Sequence, residues 1–318
     1  MTMMTDDIEE GMNRRSLLSH CAGWAGTGAL YTLTGGIASS ISLDAALAAP
    51  LARGKTKPFT FLQISDTHLG FDKPANPNVR GTALEAVAKI KALTQKPDLI
   101  IHTGDITHLS KDEQFDDAKQ ILSDLGAPIF HVPGEHDFLD EGQGKTYLAH
   151  YGKGTLGTGW YSFDHNGVHF VALNNVANLK PGGMAHIGDD QLAWLKKDLA
   201  GQSASTPIVV FGHIPLWTVY EQWGWGTDDS AQALGFLKRF GSVTVLNGHI
   251  HQIIQKVEGN VSFHSARSTA YPQPAPGAAP SPGPLKVPTE QLPSMLGIRT
   301  ARFVRGNEPI ALIDQSFA

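Results

Sequence analysis

The sequence predicts an α/β layered domain. From residue 58 onward, apolar runs of strand length alternate with segments of helical spacing. Those apolar runs end repeatedly in a polar group carrying Asp, Glu or His. Alternating strands and helices lay helices over a largely parallel sheet. The carboxyl ends of such strands open into the binding crevice. The chain has 318 residues, 41% of them hydrophobic, enough to bury a large core. A formal net charge of −5 implies no surface for a nucleic acid duplex.

Residues 1–48 differ in composition. Paired Arg14 and Arg15 precede a mildly apolar Gly/Ala/Thr-rich run, and Ala46-Leu47-Ala48 forms a small-x-small cleavage site. The segment resembles a twin-arginine export signal cut near Ala48/Ala49. Gly, Ser and Thr dilute its apolar run, so no stable membrane span is expected after processing. Its removal takes away two basic and five acidic residues, leaving 23 against 25, and removes Cys21, the only cysteine. An exported protein without disulfides relies on its core and on any bound metal. The expectation is a periplasmic or secreted protein whose partner in transit is the twin-arginine export machinery. That route carries folded cargo, so a cofactor can be loaded before export.

Residues 49–57 read as a connector and 58–318 as one domain. "KPFTFLQISD" is a strand running into a turn. Leu84, Val87 and Ile90 give helical spacing between about Asn78 and Thr94. "DLIIHTGD" is the next strand, and Ser110-Lys-Asp-Glu113 has capping-box form ahead of a helix facing inward at Phe115, Ala118, Leu122 and Leu125. "PIFHVPGEHD" and "GVHFVALNN" follow as strands, then a helix in "DDQLAWLKKDLAG". "PIVVFGHIP" and "VTVLNGHIH" are strands separated by a helix around Ala231 to Phe240. "QIIQKVEGNVSFHSA" and "ARFVRGNEPIALIDQS" read as hairpins, and the proline-dense stretch 271–293 as a stiff excursion between them.

Five strand ends carry metal-ligand types: Asp66 and His68; Asp105; Glu135, His136 and Asp137; His213; His249 and His251. Four of the five place Gly immediately before the polar residue, which lets the backbone turn sharply. Each alone is weak, since a lone Gly-Asp is usually a turn. The conjunction of hard-to-intermediate ligands without a thiol points to Mn, Fe or Zn.

This ordered set, D-x-H, GD, GEHD, GH, GHxH, resembles that of the calcineurin-like metallophosphoesterases, over nearly all of residues 58–270. "GDDQLAWLKKDL" is similar to the phosphodiesterase-like and purple-acid-phosphatase-like branches. The resemblance implies a four-layer αββα sandwich with two mixed sheets and two metal ions per chain, Fe and/or Mn, with Zn as a further candidate. Asp66, His68 and His251 would hold one ion and Glu135, His213 and His249 the other, with Asp105 bridging. Such ions clamp a phosphoryl group and lower the pKa of a water that attacks it. His136 would then protonate the leaving oxygen or bind the phosphoryl group, with Asp137 holding its ring. The family usually has Asn at the position of Glu135. The added negative charge favours a trivalent ion or a monoanionic diester if Glu135 ligates, and leaves the second site weak if it swings away; retained ligation is expected.

His102 and His131 lie inside strands and read as core imidazoles or supports of the ligands; His169 reads as packing, and His108 and His186 as exposed loop residues. Trp217, Tyr220, Trp223 and Trp225 cluster after His213. Trp217 and Trp225 are candidates for an aromatic wall that stacks part of the substrate, against equal odds of plain packing; the proline-rich stretch is either the opposite wall or a surface loop. The expected function is an exported hydrolase of small-molecule phosphate esters, with diesters such as cyclic nucleotides a subset. A broad phosphomonoesterase for phosphate scavenging and a metal-binding scaffold without turnover are the alternatives.

Overall fold

The computed structural model describes residues 57–179, 182–304 and 310–318, and the backbone of two strands, Ala29–Thr34 (β1) and Ile37–Ser42 (β2). The chain divides into two units, Met1–Lys55 and Thr56–Ala318. In the first, β1 pairs antiparallel with β2. Arg14, Arg15 and the Ala46-Leu47-Ala48 site lie outside the described residues, as does the connector apart from Lys57.

The second unit contains two mixed sheets. Strands β3 (Phe59–Ile64), β4 (Leu99–Thr103) and β5 (Ile129–Val132) run parallel; β12 (Gly297–Phe303) pairs antiparallel with β3, and β13 (Ala311–Ser316) with β12. In the other sheet β7 (Val168–Ala172), β8 (Ile208–Phe211), β9 (Val243–Asn247) and β11 (Val261–Ser265) run parallel. Antiparallel β6 (Tyr161–His165) and β10 (Gln255–Glu258) close its edges.

Residues of β3 are buried without alternation, as expected for a strand covered on both faces. Phe59 and Phe61 meet Phe170, Phe211 and Leu246 between the sheets, whereas Leu62 and Ile64 pack with Val87, Ile90 and Leu122 on the helix side. Across the molecule, Val209 and Phe211 face the other sheet, and Ile208 and Val210 face Leu192, Leu195 and Leu237. The layers are therefore helix, sheet, sheet, helix. Phe61 meets Phe170 edge-on at 5.3 Å across the central layer. Near the strand ends, Gln63 of β3 donates to Thr103 Oγ1 and to the Asn247 carbonyl of β9, tying one sheet to the other beneath the crevice.

Helix α1 (Val79–Ala92) is capped by the Asn78 side chain, which accepts from Gly81 N. Its buried positions are Val79, Ala83, Ala86, Val87 and Ile90, while Leu84 is 43% exposed. Steps of three residues drift by about 60° around a helix, and this carries Leu84 off the inner arc. Helix α2 (Asp112–Ser123) buries Phe115, Ala118 and Leu122 as expected. The expected capping box does not form: Ser110 Oγ donates instead to the His136 carbonyl at 2.7 Å and accepts from Leu139 N. Helix α3 (Lys145–Tyr151) and strand β6 were not anticipated, being short and without a clear period. Helices α4 (Asp189–Ala200) and α5 (Ser230–Leu237) cover the second sheet, and α6 (Leu292–Met295) is a single turn at the end of the proline-rich stretch. Among the described residues no helix is long and apolar enough to cross a membrane.

Candidate metal centre

The seven expected ligands come together at the carboxyl ends of β3, β4, β5, β8 and β9. Eight non-glycine residues among those described have positive φ, and five of them are Asp66, His68, Asp105, His249 and His251. Such backbone is strained, and it persists where surrounding structure holds it for a purpose. Here it turns each side chain off the end of its strand toward the crevice. Close approach also demands a missing Cβ: one at Gly248 would lie 2.1 Å from Ser65 Oγ and 2.6 Å from Asp66 Oδ2.

Two triads result, Asp66/His68/His251 and Glu135/His213/His249, each with donor atoms close enough to share one ion. Asp105 sits between them, its Oδ2 3.5 Å from His68 Nε2 and 3.4 Å from His213 Nε2. Glu135 keeps its place in the cluster, with Oε2 2.9 Å from His213 Nε2 and Oε1 2.9 Å from His249 Nδ1. The reading in which it swings away is thus not the arrangement seen.

The chemistry of the donors fits cations. His213 Nδ1 donates to the Thr103 carbonyl at 2.6 Å, and His251 Nδ1 to the Tyr271 carbonyl at 2.5 Å. Each ring then points a bare Nε2 lone pair into the cluster. His251 Nε2 lies 3.2 Å from Asp66 Oδ1 and 3.3 Å from His68 Nε2, so lone pairs converge on one another. Asp66 Oδ2, Glu135 Oε2, His213 Nε2 and His249 Nδ1 are buried without a well-aligned hydrogen bond, the last three despite close approach to one another. Unpartnered buried donors and acceptors are costly, and a multivalent ion at their centre removes the cost.

The protonation tendencies follow from the same crowding. Burial opposes charge on His213, yet Asp105 and Glu135 raise its pKa well above the ordinary value, a proton substituting for an ion. Burial would raise Glu135, but the His249 and His213 charges hold it well below the carboxylate range. His68 is pushed well down by burial and by neighbouring His136 and His251.

His136 stands beside the cluster. Its Nδ1 donates to the His108 carbonyl at 2.8 Å and its amide to Asp105 Oδ1 at 2.9 Å. Burial disfavours its charge, but Asp105 and Glu135 raise its pKa overall. The His108 ring stacks on it at 4.7 Å, half-buried rather than exposed as expected. Asp137 does not hold the His136 ring. Its carboxylate accepts from Ile106 N, Thr107 N, Thr107 Oγ1 and Gly134 N, fastening the loops after β4 and β5 together. In this one-turn 3₁₀ segment, neighbouring side chains diverge, so Asp137 points into the protein.

A cavity of about 240 Å³ opens over the cluster. Trp223, Trp225, Tyr271, His108 and Pro282 are among its walls, so the proline-rich stretch does contribute to its lining. Trp225 is fully buried and its ring lies 6.3 Å from that of His249. Trp217 is not in the cavity; it packs near Phe263 with the Lys256 ammonium over its ring. Tyr271, whose hydroxyl lies 3.1 Å from His68 Nε2, was missed because it opens the proline-rich stretch. His102 is buried beneath the site, 3.2 Å from Thr67 Oγ1, in keeping with a core imidazole. His169 is buried but not mere packing: its nitrogens lie 2.8 Å from Asp164 Oδ1 and 2.8 Å from Asp198 Oδ2.

An αββα sandwich with a carboxylate–imidazole cluster at its strand ends is the framework of a metal-dependent hydrolase. Residues 59–253 match the calcineurin-like phosphoesterase family, and the chain belongs to it. Its class of activity is phosphate ester hydrolysis, and the family binds a dinuclear metal site. A probable cyclic nucleotide phosphodiesterase of Synechococcus is 27% identical over 68% of this chain and 83% of its own. A serine/threonine-protein phosphatase of Bos taurus, CPPED1, is 29% identical over 50% of this chain and 56% of its own. Among solved structures, a dimetal phosphatase from Danio rerio superimposes with a TM-score of 0.62, at 13% identity, over 82% of this chain and 96% of that one.

Proposed function

We propose that the chain is an exported phosphodiesterase that uses two ions held by Asp66, His68 and His251 on one side and Glu135, His213 and His249 on the other, with Asp105 shared. Fe and Mn suit these ligands best, and Zn is a further candidate. The observation that carries the diester reading is the charge around the site. Three carboxylates, Asp66, Asp105 and Glu135, enter the cluster, and no Lys or Arg is among the described residues lining the cavity. A dianionic monoester would bring a second negative charge with no Lys or Arg to meet it; a diester brings one. The Synechococcus relative, named as a cyclic nucleotide phosphodiesterase, supports the same preference.

When bound, the ions would supply Lewis acidity toward the phosphoryl oxygens and a more acidic water. The protein's own groups do the rest. Asp105 holds the His136 amide, and the His108 carbonyl fixes the His136 ring through Nδ1, leaving Nε2 to carry a proton for the leaving oxygen. The aromatic walls exclude water from one side of the cavity and give a planar leaving group a surface to lie on.

The test is elemental analysis of the purified protein beside kinetics on 4-nitrophenyl phosphate and its bis-ester. Two ions per chain, chelator-sensitive turnover and a higher kcat/KM for the bis-ester are expected. Preference for the monoester would favour the phosphomonoesterase reading, and a fully loaded sample without turnover the scaffold. Export rests on Arg14 and Arg15: replacing both by Lys should leave the unprocessed chain in the cytoplasm, whereas unchanged processing would remove the twin-arginine route.

A further inference from the structure

A second cavity, of about 460 Å³, adjoins the one over the metal centre. The two share Glu135, His249, Trp223 and Pro282 as common walls. Beyond these shared walls the linings differ. The first adds His68, Asp105, His108, His136, Tyr271 and Gln273 beside Trp225 and Pro284, whereas the second adds Phe138, Leu139, Val176, Leu179 and Ile214, with Gln143 as its further polar side chain. Buried Val176 and Ile214 line it; with Ala185 they make a small apolar cluster against which Leu179 and Phe138 pack, Phe138 also touching the core on the helix side of the first sheet. Leu139, at the rim, is 56% exposed. A large apolar side chain left open beside a concave apolar wall favours covering by an apolar ligand.

We infer that this groove receives the apolar arm of the substrate, so that the natural ester is a phosphodiester with an alkyl or aryl chain on one oxygen. The inference rests on the hydrolytic reading of the metal centre and adds the substrate class. The phosphorus lies over the cluster, the apolar arm runs past Glu135 and His249 into the groove, and the second arm occupies the cavity beside His136. Water adds its oxygen to phosphorus, the P–O bond on the His136 side breaks, and the departing oxygen takes up a proton. The products are an alcohol and a phosphomonoester that retains the apolar arm. Through Glu135, His249, Trp223 and Pro282 the groove is continuous with the reacting centre, which favours a substrate arm over another protein as its occupant.

Two measurements separate this inference from the reading beneath it. The first is binding of n-alkyl phosphates from methyl to hexyl, followed by tryptophan fluorescence in the metal-loaded protein. Each methylene that enters an apolar groove should tighten binding about fourfold. The second is kcat/KM for the matching 4-nitrophenyl alkyl phosphates, expected to rise with the same slope. In Leu139→Asp and Leu179→Asp the hexyl-to-methyl ratio should fall toward unity in both assays. A series flat or falling with chain length in the wild type overturns the inference while leaving the hydrolase intact. So does a slope the two variants do not alter. Failure of the hydrolase itself would appear differently, as no release of 4-nitrophenol from any member while the binding slope persists; that outcome removes the substrate assignment too.

Discussion

Gly248→Ala tests how the site is built. A Cβ there would lie 2.1 Å from Ser65 Oγ, 2.6 Å from Asp66 Oδ2 and 3.0 Å from the Thr103 carbonyl. Ser65 and Asp66 are fully buried, and Ser65 Oγ is held at 2.6 Å by Thr103 Oγ1, so neither side chain can rotate into solvent. Overpacking a closed interior costs about 1–3 kcal/mol, and contact with a carboxylate and a backbone carbonyl puts this case near the upper end. Displacing Asp66 by about 1 Å should lower kcat roughly 100-fold, the usual penalty for misplacing a group that organises a site. Gly212→Ala is the control, since its nearest atom would be the Leu173 carbonyl at 3.4 Å, an ordinary contact. Gly212 is buried, but with room for the methyl the change should move stability by less than about 1 kcal/mol, toward stabilisation. The assay is the urea midpoint together with kcat and metal content of each variant. Wild-type values for Gly248→Ala, or equal damage in both variants, would refute the geometric argument.

His136→Asn should lower kcat by about 10²–10⁴ with two ions retained, as measured by elemental analysis, because it removes a proton carrier and no ligand. Asp137→Ala leaves the Ile106, Thr107 and Gly134 amides without their acceptor, and should cost about 3 kcal/mol or more in urea unfolding. Normal stability with only kcat reduced would instead restore Asp137 as a partner of the His136 ring. His169→Gln tests the staple among β6, β7 and α4. Burial opposes charge on His169, but Asp198 and Asp164 raise its pKa, so its contribution is fully present below the unfolded value near 6.5 and fades as pH climbs through the raised one. Burial pushes Asp198 upward, yet its bonds to His169 and Ser162 lower it overall, so its share is lost only in acid. The wild type should exceed His169→Gln by about 1.5 kcal/mol near pH 6 and by less near pH 9, a difference read from urea midpoints.

The ligands were legible because each sits at the end of an apolar run, where chain direction alone decides which way it opens. Burial on both faces of β3, β4, β8 and β9 made those runs continuous and easy to see. What escaped depends on contacts distant in sequence or on local turns. His108 and His136 meet only because β4 and β5 lie side by side. Ser110 has the sequence of a cap, but the nearby His136 carbonyl takes its hydroxyl. In the aromatic cluster, Gly224 in left-handed backbone folds Trp225 back to bridge Tyr220, so Trp223 and Trp225 reach the cavity while Trp217 stays with Phe263. Spacing along the chain carries no trace of that reversal.

Crystals of the metal-loaded protein, with anomalous scattering collected at the Mn, Fe and Zn edges, address the central claim most directly. Two peaks per chain are predicted, one among Asp66, His68, His251 and Asp105, the other among Glu135, His213, His249 and Asp105. A single peak, no peak, or a second ion that bypasses Glu135 would contradict it.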